Sequence, residues 1–95
     1  MEIKIGLTPF YSRGDERRFF QGLDEVSAIK SVVGSGRGLF LDFDMRLLGQ
    51  ESLRDLIALL WRYQIPLEPL ALFAERKKFA WLLDKRAYWY KSMFE

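Results

Sequence analysis

Asp42 and Asp44 are the first residues in this chain whose types and spacing suggest chemistry. Side chains two apart on a strand share one face, which would set these carboxylates roughly 7 Å apart. Such a pair can hold Mg²⁺ or divide acid–base work, so a magnesium-dependent enzyme built on them is one reading. No third carboxylate lies within sequence range, and Arg46 follows two residues later. A solvated strand face or an electrostatic contact surface is the plainer reading. The second group is Gly34-Ser35-Gly36-Arg37-Gly38. A phosphate-cradling Gly-x-Gly-x-x-Gly opens a helix after a strand. Here the third glycine comes one residue early, a strand follows, and no Gly-Lys-Ser/Thr is present. The cluster therefore reads as a hairpin turn.

The third group is a basic, aromatic tail. Residues 76–95 carry net charge +4 through Arg76, Lys77, Lys78, Lys85, Arg86 and Lys91, while residues 1–75 carry −2. Phe79, Trp81, Tyr88, Trp89, Tyr90 and Phe94 lie among those cations. Interleaved cations and rings can neutralise phosphates and stack bases, which makes a small nucleic-acid-binding module the second reading. Such a module would lose affinity steeply with salt, because phosphate contacts release counterions. The competing reading packs Phe79, Trp81, Leu82, Trp89, Met93 and Phe94 into the core and leaves Lys and Arg wet. Direct nucleic-acid binding is not the favoured expectation.

What the chain lacks narrows the classes further. Among 95 residues there is no Cys and no His. Disulfides, thiolate nucleophiles, zinc ribbons and iron–sulfur clusters are excluded, as are imidazole metal sites and a Ser-His-Asp triad. No catalytic residue, cofactor or metal is expected, and the prior moves from enzyme to binding protein. The composition, 49% hydrophobic and 29% charged, supports a packed core and a single domain over residues 1–95. The longest apolar run, Leu56 to Trp61, is far short of the roughly 20 residues of a membrane span, and no secretory signal pattern stands at the start. The expectation is a cytoplasmic protein with no membrane contact.

The elements that must position these groups follow from periodicity. Residues 2–7 alternate, with Ile3, Ile5 and Leu7 on one face of a strand. Residues 8–14 read as a loop, and Asp15 is placed to cap a helix over Glu16–Leu23. Residues 25–33 fit a helical face through Leu23, Val26, Ile29 and Val33, but their β-branched content favours a strand. Residues 34–38 form the hairpin loop, and 39–44 return as a strand with Leu39, Leu41 and Phe43 on one face. Leu53, Leu56, Ile57, Leu60 and Tyr63 mark a helix over 51–63 that must stop before Pro66. Residues 66–73 admit a helical turn or a strand, the latter giving a ferredoxin-like order; 75–83 and 87–94 look helical. The expected fold is α+β: a small, mainly antiparallel sheet in β-α-β-β-α order, covered by helices, with an aromatic-rich helical tail.

The run Leu39-Phe40-Leu41-Asp42-Phe43-Asp44, then Ser52 to Tyr63, then Ile65, Leu70, Phe73, Trp81 and Ala87-Tyr88-Trp89-Tyr90-Lys91-Ser92-Met93-Phe94 resembles small bacterial immunity proteins of contact-dependent growth inhibition systems. The resemblance spans about residues 39–94, and its positions are mostly apolar and aromatic. It implies a cytoplasmic protein that performs no reaction and neutralises the toxin domain delivered by a sibling cell. Such toxins are often nucleases, commonly acting on tRNA. Inhibitors of cationic nucleases are often acidic, whereas this chain is net +2. Charge and exposure therefore select the expected partner-binding residues: Asp15, Glu16, Asp24, Glu25, Asp42 and Asp44.

Overall fold

Ile3 and Ile5 alternate with Glu2 and Lys4, and strand β1 (Glu2–Gly6) buries the two isoleucines. The computed structural model describes all 95 residues. Helix α1 (Arg13–Asp24) follows, burying Phe19 and Leu23. Its cap is Ser12, whose hydroxyl accepts from the Asp15 N–H at 3.0 Å; the expected cap, Asp15, lies inside the first turn. Strand β2 (Ile29–Ser35) starts four residues later than expected. Residues 25–28 instead turn the chain out of α1, and Val26 and Ala28 are buried in that turn. β-branching reports packing at such a position, not strand backbone. Strand β3 (Gly38–Phe43) takes the centre of a three-stranded sheet ordered β1-β3-β2, with both pairings antiparallel. Asp44 falls just beyond its end.

The hairpin is tighter than the glycine cluster suggests. Ser35 pairs with Gly38, which leaves Gly36 and Arg37 as a two-residue turn with φ of 61° at Gly36. A left-handed first position followed by an ordinary second one is the II′ arrangement that suits twisted strands. Gly38 is required for another reason. A Cβ there would lie 2.6 Å from the Ile5 carbonyl oxygen on the neighbouring strand.

Helix α2 (Gln50–Arg62) buries Leu53, Leu56, Ile57 and Leu60, the expected stripe. Its first turn is tied by the Ser52 hydroxyl, which accepts from the Gly49 N–H at 2.9 Å. The tail departs from expectation. Glu68–Glu75 and Lys77–Leu83 are 3₁₀ segments, and only Tyr90–Phe94, helix α3, is α-helical. The buried residues Leu67, Leu70, Phe73, Phe79 and Leu82 are spaced in multiples of three, the 3₁₀ repeat. Pro66 and Pro69 remove two N–H donors at the start of this stretch, and extended Arg76 separates the two segments. No strand forms over 66–74, so the order is not ferredoxin-like.

Ile3, Ile5, Leu39, Leu41 and Phe43 bury one sheet face, while Glu2, Lys4 and Asp42 point away from it. Phe43 stands edge-on to Phe73 at 5.5 Å, and Phe73 to Phe79 at 6.1 Å, so the 3₁₀ tail closes over the sheet. The 22 buried apolar residues form one cluster, drawn from every strand and helix except β2.

Candidate functional site

The six expected partner-binding carboxylates do not converge. Asp15 and Glu16 lie in the first turn of α1, while Asp24 and Glu25 lie at its other end, about 13 Å along the axis. Asp42 lies on the outer sheet face, within 3.3 Å of the N-terminal ammonium and 3.6 Å of Lys30. Asp44 takes Arg46 at 3.1 Å. That side-chain hydrogen bond, with the Arg46 backbone N–H, holds the Asp44 carboxyl below its ordinary range. Asp15 pairs with Arg18 at 3.3 Å. Glu16, Asp24 and Glu25 are in no ion pair. Asp42 and Asp44 thus each hold separate cations, and no group of three or more potential metal-ligating side chains comes together.

The tail's aromatic rings are largely taken up in packing. Phe79, Trp89 and Met93 are buried, and the Trp89 indole N–H donates to the Leu82 carbonyl at 2.9 Å. Of its cations, Lys78 donates to the Leu48 carbonyl at 3.0 Å and Arg86 lies 3.6 Å from Asp84.

A different surface gathers exposed arginine and aromatic side chains, and its centre is Arg62. Periodicity places Arg54, Ala58, Trp61 and Arg62 on the side of α2 away from the core. Neither Arg54 nor Arg62 is in an ion pair. The Arg54 guanidinium stacks on the Trp81 ring at 4.0 Å, and the Trp81 indole N–H donates to the Gln50 side chain. Trp61 and Tyr88 meet edge-on at 5.3 Å, and about half of each side chain remains exposed. Partial burial pushes the Tyr88 phenol up, opposed by the positive charges of Arg62 and Arg54. Tyr88 therefore stays protonated and able to donate near neutral pH.

Arg62 also borders a cleft of about 260 Å³ with Phe10, Tyr11, Asp15, Tyr63 and Gln64. The Thr8 hydroxyl donates to the Tyr63 carbonyl at 2.7 Å, tying the 8–11 loop to the end of α2. Phe10 then packs edge-on against Tyr63 at 5.9 Å. A second concavity, around Trp61, Arg62, Gln64, Ile65, Pro66 and Ser92, adjoins the first. On the other side Arg62 borders the α1–α2 groove with Gly22, Glu25 and Asp55. Asp15 and Glu25, two of the expected carboxylates, therefore frame this surface, while Asp42 lies on the outer face of the sheet.

Gln64, between the first two concavities, is the only non-glycine residue with positive φ, 60°. Strained backbone of this kind tends to cluster at functional sites. Planar guanidinium groups can take carboxylates, and large rings desolvate on contact. None of Arg54, Trp61, Arg62 and Tyr88 is among the expected partner-binding residues; the signal in the sequence is Trp61 standing beside Arg62 on the side of the helix opposite its apolar stripe. The chain matches no protein-family model, curated protein or solved structure in the comparisons made. No helix is long and apolar enough to cross a membrane.

Proposed function

We propose that this chain is a non-catalytic binding protein that neutralises a cognate toxin domain in the cytoplasm, as immunity proteins of contact-dependent growth inhibition systems do. The observation that carries the reading is the set of exposed side chains Arg54, Trp61, Arg62 and Tyr88, in which Tyr88 packs on Trp61 and feels the positive charges of both arginines. Trp, Tyr and Arg are the residues most enriched at the energetic centres of protein interfaces. Unpaired guanidinium groups beside half-exposed rings favour a partner offering carboxylates around an apolar centre. Asp15 and Glu25 at the margin would reject wrong partners by charge. The nucleic-acid reading draws less support, because Phe79 and Trp89 are buried, Trp81 and Phe94 pack against the core, and Arg54 lies over the Trp81 ring.

The test is capture from nuclease-treated lysate of the producing cells, followed by expression of the captured domain alone. The expected result is a domain that arrests growth by itself and is harmless when this chain is co-expressed. Trp61→Ala and Arg62→Glu should each weaken binding roughly 30-fold or more, the effect of losing an interface centre. A captured domain that is not toxic, or toxicity this chain does not relieve, overturns the proposal. No protein partner, with nucleic acid retained from a parallel untreated lysate and lost at high salt, returns the tail to first place.

A further inference from the structure

Strand β2 is exposed in a way its counterpart β1 is not. Both are edges of the sheet. β1 has five residues, carries Glu2 and Lys4, and packs against the 3₁₀ segment 68–75. β2 has seven residues, none of them buried, and Val32 and Val33 are 38% and 57% exposed. Its one charge, Lys30, is drawn toward Asp42. Proteins usually shield such an edge with charge, proline or a covering element, and β2 has none along Ser31–Ser35.

The backbone register says which groups are free. The Leu7 N–H donates to the Arg37 carbonyl at 2.8 Å, and the Phe43 N–H to the Met1 carbonyl at 2.7 Å. Odd-numbered residues of β3 thus bond toward β1 and even-numbered ones toward β2, where their partners are Ser31, Val33 and Ser35. Val32 and Gly34 direct their N–H and C=O groups to the open edge, and Lys30 occupies the irregularity between Ile29 and Ser31. An antiparallel pairing centred on Val32 sets residue 31 opposite 33 and residue 30 opposite 34.

We propose that β2 pairs antiparallel with β2 of a second copy about a twofold axis at Val32, joining two three-stranded sheets into one. Val32 then faces its own copy on the helix side of the sheet, where its exposure shows that the helices leave room. Val33 meets Ser31 of the second copy on the other side. Lys30 falls opposite Gly34, where a Cβ would have nothing within 4 Å, so the lysine stem has space and no like charges oppose. A second copy fits this edge because the strand carries one charge only and the register sets it against glycine, so self-pairing opposes no like charges. The surface around Arg62 is not used, so this association and the toxin reading stand or fall separately.

Sedimentation of the full chain from about 10 to 500 µM tests it, the range suited to a seam smaller than the roughly 1,200 Å² of stable interfaces. The expected mass rises with concentration from 11.3 kDa toward twice that value. Val32→Lys and Val32→Glu should each remain single chains, and an equimolar mixture of the two should recover the dimer. Amide exchange on the wild type adds a readout independent of the variants: the Val32 and Gly34 amides should gain protection as concentration rises. A constant single-chain mass, dimers that persist unchanged in both variants, or amides indifferent to concentration each overturn the proposal.

Discussion

Replacing Gln64 with glycine should stabilise the protein. The Gln64 N–H donates to the Trp61 carbonyl at 3.0 Å, and the Ile65 N–H to the Leu60 carbonyl at 2.9 Å. These are the two bonds of a Schellman ending, which places its left-handed residue at Gln64. There a Cβ crowds the backbone carbonyl, at a cost of roughly 1–2 kcal/mol for a non-glycine residue. Glycine avoids that cost but loses about 0.5–1 kcal/mol through its freer unfolded chain. The balance for Gln64→Gly is a gain of about 0.5–1 kcal/mol. For a domain of this size that raises Tm by roughly 2–8 °C. Gln64→Ala keeps the strain and removes only an exposed side chain, so its stability should stay within about 0.5 kcal/mol of wild type. Calorimetry and urea unfolding of the three proteins make the comparison. A Gln64→Gly protein that melts at or below wild type refutes the assignment of strain. Because the side chain borders both concavities beside Arg62, the two variants should weaken partner binding alike while differing in stability.

Other consequences concern packing and charge. Gly38→Ala should cost about 1–3 kcal/mol in urea unfolding as an overpacked contact, because its Cβ meets the Ile5 carbonyl at 2.6 Å. Gly34→Ala, with open space at its Cβ, should be neutral or stabilising by up to roughly 1 kcal/mol. Equal effects at the two positions would contradict the hairpin geometry. Leu56→Ala should cost about 2–5 kcal/mol, because the side chain is fully buried in α2; an unchanged Tm would refute that placement. Asp44 has a lowered carboxyl pKa in the folded state, so its pairing stabilises the fold above the ordinary value near 3.8 and ceases to do so as pH falls through the folded value. The Tm difference between wild type and Arg46→Met should therefore be largest near neutral pH and close in acid. A difference constant with pH would rule out this linkage.

Much of the fold was legible because it rests on local repeats. Alternation at Ile3 and Ile5, and at Leu39, Leu41 and Phe43, identified two strands, and the four-residue stripe from Leu53 to Leu60 identified α2 within a residue at each end. The tail misled because its apolar residues were matched to helices of 3.6-residue period. Leu67, Leu70 and Phe73 keep the 3₁₀ period of three, visible only when residues on both sides of Pro69 are read together. The start of β2 misled because β-branched Val26 is buried in a turn.

What the chain determined by itself was the absence of imidazole and thiol chemistry, the apolar stripes and the glycine turn, each a property of single residues or near neighbours. The tertiary structure decided which carboxylates were already paired and which edge was left bare. It also brought Phe10, Arg62, Trp61 and Tyr88 onto one surface. Those outcomes depend on contacts between segments far apart in sequence, as Phe10 with Tyr63 and Trp61 with Tyr88. The physical reason is that side-chain periodicity specifies the face a residue occupies on its own element. Where that face lands is set by burying the shared core, in which Phe43, Phe73 and Phe79 join the sheet to the tail.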